Sequence, residues 1–405
     1  MISVEEAKNK IKADMPLMPP EQVSLPEALG RVLATNVAAR RTQPPHAVSA
    51  MDGYAVRAED VATLPAKLKV VGHVPAGQAY DGAVAPGEAV RIFTGATVPP
   101  GADTIVIQEN TETNGELVTV VDGKAPTGRF IRPAGLDFSE GDVLLSAGRT
   151  ITARDIGLAA GMNVPWLTVR RKPRIALLAT GDEIVMPGDP IGPNQIVSSN
   201  GPALAGFITA RGGIPVDLGI APDSADTLRI MAAGAKGADM LITCGGASVG
   251  DHDLVQKVLG EIGLEIDFWR IAMRPGKPLM FGHIDETRML GLPGNPVSSL
   301  VCATIFLGPA LNAMLGCTAD DAIYEIAELT TGLPENDERE DYLRASIERN
   351  SDGTLFATPF NKQDSSVFSG LARADALIIR APFASKIKSG EQVRIMRLGG
   401  GVLSI

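Results

Sequence analysis

The sequence predicts a multidomain α/β protein, and three patterns predict it. From Pro173 onward, apolar runs alternate with helical segments, the mark of an α/β unit with a parallel-type sheet. Residues 46 to 146 change to short β-like runs separated by Gly, Pro and Asn, and β-like text returns after residue 319. Helical patterns at 1 to 45 and 147 to 172 bracket the first β-rich stretch. The expected organisation is therefore a split helical domain (1–45 with 147–172), a β-rich insertion (46–146), an α/β domain (173–318) and a C-terminal β-barrel (319–405). A chain of 405 residues has room for these, since domains usually run to about 100 to 200 residues.

In chain order, the first 40 residues read as helical, with Leu25, Leu29 and Val32 of LPEALGRVLA on one face. The proline-rich QPPHAVSAMDGYAV ends that pattern, and KLKVVGHV, EAVRIF, DTIVIQE and ELVTVVD follow as strands. Residues 151 to 168 read as helix again. RIALLAT, 174 to 180, is a buried strand, and NGPALAGFITARGG and DSADTLRIMAAGAKG are helices, the second with Asp223 or Ser224 as its cap. MLITCGG is a strand, DLVQKVLGEIG a helix, and LEIDFWRI, PLMFGHI and RMLGLPG are strands. YLRASIE, TLFATPF, ALIIRAP and EQVRIMRL form the last β domain. VSSLVCATIFLGPALNAMLG, 297 to 316, approaches the roughly 20 residues that cross a bilayer. Ser298, Ser299, Thr304, Pro309 and Asn312 interrupt it, so a buried helix broken near Pro309 is expected.

Composition narrows the function. The net charge of −10 and the lack of a long basic run argue against a nucleic-acid binder, which needs Lys and Arg against phosphates. Cys244, Cys302 and Cys317 form an odd, widely spaced set without a C-x-x-C pair, which suits free thiols in a reducing compartment and disfavours structural zinc. MISVEEAKNKIKADM carries acids and lysines through an amphipathic helix rather than the apolar core of a signal peptide, so a cytoplasmic protein with no membrane partner is expected.

Ligands in α/β sheets collect at the carboxyl ends of strands, and three polar loops fall there: TGDE, CGGASVGDHD and LPGNP. The amides at Gly245, Gly246, Ser248 and Gly250 could face an oxyanion, though a structural turn explains the glycines as well. This loop has neither the GK[ST] ending of a nucleotidase nor G-x-G-x-x-G spacing. Asp251 and Asp253 at its exit suit a metal or a helix cap, and His252 has no evident role. Asp182 and Glu183 are a metal or acid/base pair as readily as a cap. Arg274 and Lys277 of RPGKP supply positive charge for a phosphate or form an exposed basic loop. Pro293, Gly294 and Asn295 precede a helix whose first amides could receive an oxyanion, or Asn295 simply caps it. In the β-rich part Asp52, Thr94, Asp103, Arg132 and Asp137 each fit ordinary turn chemistry. No Ser-His-Asp order or H-E-x-x-H supports nucleophilic hydrolase chemistry.

SAMDGYAV, FTGATVPPGADTIV, IRPAGLD, TGDEIV, NGPALAG, LITCGGASVGDHD, RPGKPLMFG and LPGNPVS occur together in one order, and on these eight motifs the chain resembles the molybdopterin molybdotransferases, relatives of the gephyrin E domain. The resemblance runs from about residue 3 to 400 and implies four domains, the α/β one binding pterin, and an elongated homodimer with the active site between subunits. It implies that adenylated molybdopterin and molybdate give molybdenum cofactor and AMP, assisted by Mg²⁺. Molybdopterin adenylyltransferase and molybdoenzyme maturation proteins are the partners it suggests. By motif match the site residues are Asp52, Thr94, Arg132, Asp137, Asp223 and Lys277 for catalysis, Glu183, Asp253 and Asp137 for the metal, and Arg274, Lys277, the glycine loop (Gly245, Gly246, Ser248, Gly250), Pro293, Gly294, Asn295 and the weaker match Ser365 for the pterin substrate.

Two positions depart from the family pattern. Arg274 stands where Lys is usual, which keeps the charge and favours bidentate phosphate contact, and Asp364 replaces an expected glycine beside Ser365. Three rival readings share these motifs in part. An adenylyltransferase would lack SAMDGYAV and the flanking domains, a tungstate-inserting paralogue would look the same, and a peptide-binding scaffold would have lost the charged site residues.

Overall fold

The computed structural model describes residues 1–245, 254–318 and 323–399. The chain divides into two compact units: Met1–Thr35, Ala147–Ala153 and Thr168–Ile405 form the first, and Asn36–Ser146 with Arg154–Leu167 the second.

The first unit is built on a six-stranded sheet in the order Ile214–Ala221, Arg174–Thr180, Met240–Cys244, Thr287–Leu292, Met280–Ile284, Leu264–Trp269. The first four strands are parallel, and of the six only Met280–Ile284 runs the other way, pairing antiparallel with both of its neighbours. The parallel sheet expected from sequence is thus a mixed one. The reason is local: only Asp285 and Glu286 separate Met280–Ile284 from Thr287–Leu292, too few residues for a crossover but enough for a hairpin. RIALLAT shows why the sheet is covered on both faces. Ile175 and Leu177 pack with Leu204, Ile208, Val301 and Phe306, whereas Ala176 and Leu178 pack on the opposite face with Leu228, Ala232, Val255 and Val258.

The helix Val4–Asp14 buries Val4, Ala7 and Ile11, one stripe at helical spacing, and this stripe joins the same core cluster as Ile175 and Leu177. The helical reading of residues 25 to 34 does not hold. Leu25–Glu27 is one 3₁₀ turn with Pro26 in its first turn, Gly30 follows at φ 72°, and Leu29 is exposed. A proline at the start and a left-handed glycine five residues after Leu25 leave no length for an α-helix. Similarly, the helix expected over 151 to 168 is Ala153–Gly161, and Trp166–Arg170 is a strand.

The long apolar segment is a composite helix, Pro296–Cys302 and Gly308–Leu315 joined by a π-helical turn Ala303–Leu307. Pro309 accounts for the π turn, because proline has no N–H to donate and its ring crowds the preceding carbonyls. With 72% of its most apolar window buried, this helix faces protein.

The C-terminal strands close into a five-stranded barrel in the order Glu340–Arg349, Leu355–Pro359, Tyr324–Leu329, Gln392–Arg397, Ala376–Arg380, with the last pairing back to the first. Its interior carries Ala327, Ala345, Ala357 and Ala376 beside Ile378, Val393 and Ile395, small residues that a narrow barrel requires. A short strand from the α/β part, Met273–Arg274, adds to the barrel alongside Glu340 and Asp341.

The second unit holds another six-stranded sheet, in the order Thr104–Ile107, Gly53–Val56, Glu88–Ile92, Ala66–Val74, Leu117–Val120, Thr111–Asn114. The four β-like runs expected from alternation are all strands of it.

Candidate functional site

In the first unit's sheet, Arg174–Thr180 lies between the next strand of that sheet in sequence, Ile214–Ala221, and the later Met240–Cys244. Chain order therefore reverses between Arg174–Thr180 and Met240–Cys244, and in open α/β sheets a crevice forms outside the carboxyl ends at such a point. Thr180 and Gly245 stand at those two ends. Gly245 has φ 94°, and a Cβ there would lie 2.9 Å from the Thr180 carbonyl oxygen, so only glycine lets the two loops meet.

A cleft of ≈ 730 Å³ opens at this point. Nine residues expected from the sequence line it: Glu183, Asp223, Gly245, Arg274, Lys277, Pro293, Gly294, Asn295 and Ser365. Gly246, Ser248, Gly250 and Asp253, together with Asp251 and His252, lie outside the described residues.

The acidic wall comes from two strand tips. Gly181 has φ 136°, and a Cβ there would fall 2.5 Å from Glu183 Oε2, so the glycine makes room for that carboxylate. Asp182 does not cap a helix. Its Oδ1 accepts from the Asp223 N–H at 3.0 Å and so ties the tip carrying Asp223 to the tip carrying Glu183. Neither Asp223 nor Ser224 caps the following helix: Ser224 occupies the N-cap position without a side-chain capping bond.

The cationic wall is unequal. Arg274 donates through Nη1 to Asp337 Oδ2 at 3.3 Å and through Nη2 to Asn336 Oδ1 at 3.2 Å and to Asp341 Oδ2. Arg339 clasps Asp337 through Nη2 at 2.5 Å and Nε at 3.2 Å, and this pairing holds the Asp337 carboxyl down to about 2. Lys277 pairs with no carboxylate among the described residues, while its carbonyl accepts from the Ile271 N–H at 3.0 Å and fixes the turn. Gly276, at φ 116° within that turn, has Cys302 Sγ where a Cβ would sit, at 2.5 Å.

Asn295 is the N-cap residue of Pro296–Cys302 but makes no capping bond. Its Nδ2 donates to Ser365 Oγ at 2.9 Å, and the Ser365 carbonyl accepts the Val297 N–H at 3.1 Å. Asp364, the departure from the family pattern, turns away and accepts from Ser366 N and Oγ at 2.8 and 2.6 Å. Ser365 stays in the cleft despite its neighbour.

Arg339, Gln363 and Ser298 also line the cleft and were not named as site residues from sequence. Arg339 sits in PENDERED, which reads as a solvated charge run, and Gln363 stands two residues from Ser365 without a pattern of its own. Asp52, Thr94, Arg132 and Asp137 belong to the second unit. There Asp52 Oδ1 accepts from both the N–H and the hydroxyl of Thr94 at 2.8 Å each, which lowers the Asp52 pKa, with Arg91 adding to the effect. Arg132 lies in the strand Ile131–Arg132 paired with Val48–Ser49, and the Asp137 N–H donates to the Gln43 carbonyl at 3.0 Å. Among the described residues no three His, Cys, Asp or Glu side chains converge as a ready metal cage.

A cleft of this kind, with glycine turns, carboxylates and cations at a switch point, places the first unit among the α/β domains that carry a site outside the carboxyl ends of their strands. Residues 176–313 match the family described as "Probable molybdopterin binding domain", residues 2–162 match "MoeA N-terminal region (domain I and II)", and residues 327–398 match "MoeA C-terminal region (domain IV)". The chain is 36% identical to a molybdopterin molybdenumtransferase of Nostoc over 98% of its length and 94% of that protein's. It is 32% identical to the molybdopterin molybdenumtransferase of Bacillus subtilis, again over 98% and 94%. A crystal structure of the molybdopterin biosynthesis moeA protein from Pyrococcus horikoshii superposes with a TM-score of 0.86 at 29% identity, covering 99% of this chain and all of that one. The chain belongs to the molybdopterin molybdenumtransferase family and is a transferase of molybdenum cofactor biosynthesis.

Proposed function

We propose that the cleft binds adenylated molybdopterin, that its dithiolene thiols take up molybdate with loss of a molybdate oxygen as water, and that water cleaves the phosphoanhydride to release AMP. The observation that carries this reading is the convergence of Lys277, Gly245, Glu183, Asp223 and Ser365 on one cleft at the switch point.

Lys277 is the group that would neutralise and orient the diphosphate. Asn295 and Ser365 offer hydroxyl and amide contacts at the opposite wall. Glu183 and Asp223 fit a Mg²⁺ ion, which takes one or two carboxylates and fills its remaining positions with water and substrate phosphate oxygens, so the lack of a three-residue cage is no obstacle. When bound there, Mg²⁺ would withdraw charge from the phosphate oxygens as the anhydride is cleaved. Asp253 and Asp137 would join the metal carboxylates, Thr94 and Arg132 would donate to molybdate, and Asp52 would hold Thr94, roles supported by the family motifs. The same resemblance supports the four-domain partition, a homodimer with the site between subunits, cytoplasmic location, and contact with the adenylyltransferase and with molybdoenzyme maturation proteins; sedimentation of the purified protein tests the dimer.

The decisive assay incubates purified protein with adenylated molybdopterin, Mg²⁺ and either molybdate or tungstate, and measures AMP and cofactor. AMP release that requires molybdate and is abolished by chelation is expected. No AMP with either oxyanion would defeat the reading, and AMP with tungstate alone would reassign the metal.

A further inference from the structure

Arg274 is held by two aspartates in very different circumstances. Asp341 has a side chain only 5% exposed, whereas that of Asp337 is 36% exposed. The backbone fixes the first pair as well, since Arg274 and Asp341 are direct partners in the parallel register of Met273–Arg274 with Glu340 and Asp341. Asp341 Oδ2 accepts from Arg274 Nη2 while Oδ1 is buried with no hydrogen-bond partner. A buried carboxylate in that state cannot lose its counter-charge without a large penalty. Asp337 can lose Arg274 easily: the contact is 3.3 Å, solvent reaches it, and Arg339 remains on the same carboxylate.

We propose that Asp341 is a positioning residue that keeps Arg274 at the rim of the cleft, and that Asp337 is a place-holder which yields the Nη1 edge of Arg274 to an incoming oxyanion of the substrate. This rests on the reading of the cleft as the diphosphate site. In the free cluster Asp337 occupies the Nη1 edge of Arg274, so that edge opens to an oxyanion only when Asp337 swings aside. Arg380, the cross-strand partner of Asp341, shares the charge on the buried side and donates to the carbonyls of Pro334, Ala384 and Ser385. The substitution at 274 has a reason in this scheme. A lysine's three donors radiate from one nitrogen, whereas a guanidinium presents one edge to Asp341 and a separate one to an oxyanion.

The test uses the full-length protein and inorganic pyrophosphate as probe, with affinity measured by calorimetry and KM and kcat measured for AMP release. Asp337→Asn should bind pyrophosphate tighter, by about two- to fivefold, the strength of an exposed ion pair, and should lower KM without raising kcat. Asp341→Asn should weaken pyrophosphate by about tenfold or more. In a double-mutant cycle, Arg274→Lys should cost affinity in the wild-type background and nothing further beside Asp341→Asn, which a merely structural Asp341 would not produce. Unchanged or weaker binding by Asp337→Asn overturns the place-holder even if the Asp341 variant fails to fold. Additive losses in the cycle overturn the positioning role. If wild type releases AMP yet ignores pyrophosphate, this inference alone falls; if it releases no AMP, the proposed function falls with it.

Discussion

At the scale of single residues, the cleft separates charge that is committed from charge that is available. Arg274 and Arg339 are tied to Asp337 and Asp341, so Lys277 is the cation in the cleft without a carboxylate partner among the described residues. Lys277→Met should therefore raise the dissociation constant for adenylated molybdopterin by about 10- to 100-fold, the loss of one charge-assisted contact, with little change in urea stability. A loss under threefold in an equilibrium binding assay would show that Lys277 does not touch the diphosphate. On the acidic side, Gly181→Ala places a methyl 2.5 Å from the Glu183 carboxylate at φ 136°. AMP release should drop at least tenfold and the Mg²⁺ concentration for half-maximal rate should rise, because the carboxylate is pushed from its place. Normal Mg²⁺ dependence in that variant would remove Glu183 from the metal role. Sequence made Arg274 and Lys277 visible as one basic loop, but the difference between them was not legible. It depends on carboxylates 63 and 67 residues downstream, inside a run that reads as solvent-exposed charge.

Among elements, the loop 360–367 delivers Ser365 to the cleft, and a buried arginine holds it. Arg344 is 1% exposed and donates to the carbonyls of Val367 at 2.8 Å, Asp364 at 3.0 Å and Lys362 at 3.1 Å. Gln363 closes the arrangement, donating to the Arg344 and Phe360 carbonyls at 2.9 Å each. Burial depresses the guanidinium's pKa from its usual value, yet carbonyl dipoles suffice to keep it in place. Arg344→Met should leave several buried carbonyls unpaired and cost about 3 kcal/mol or more in urea unfolding. Arg344→Lys, with three donors on one atom, should recover only part of that and release Ser365 from Asn295. Near wild-type stability in both variants would show that the loop holds itself. The contrast between RIALLAT and LPEALGRVLA explains which elements could be read in advance. RIALLAT is apolar on both faces and was bound to be a central strand, whereas the spacing of Leu25, Leu29 and Val32 imitates a helix that Pro26 and Gly30 do not permit. The glycine-rich loop after Cys244 reads in sequence as an oxyanion site or a structural turn, and the described part of it, Gly245, lines the cleft.

For the first unit as a whole, one core cluster runs from the sheet into the barrel, and it contains three neutral acids: Cys244, Cys302 and Tyr342. Burial pushes the Cys244 thiol up to about 12 and raises Cys302 and Tyr342 further, Tyr342 also because its hydroxyl faces Glu340. In the unfolded chain a thiol titrates near 8.5 and a phenol near 10. Between those values and the folded ones the unfolded state holds fewer protons than the native state, so stability must fall as pH rises. The contribution of these groups is complete below about pH 8.5 and drains away above it. The carboxylates act in the opposite window: Asp337, held down to about 2, stabilises above its unfolded value near 3.9 and loses that contribution as pH falls through its folded one. Stability should consequently be level between about pH 5 and 8.5 and decline on both sides. The alkaline decline is the sharper test, because it arises inside the core that joins sheet to barrel. Urea midpoints measured at pH 7, 9.5 and 10.5 should fall steadily for wild type, and Cys302→Ala and Tyr342→Phe should each start lower but lose less between pH 7 and 10.5. Parallel profiles for wild type and both variants would place the alkaline sensitivity outside this core.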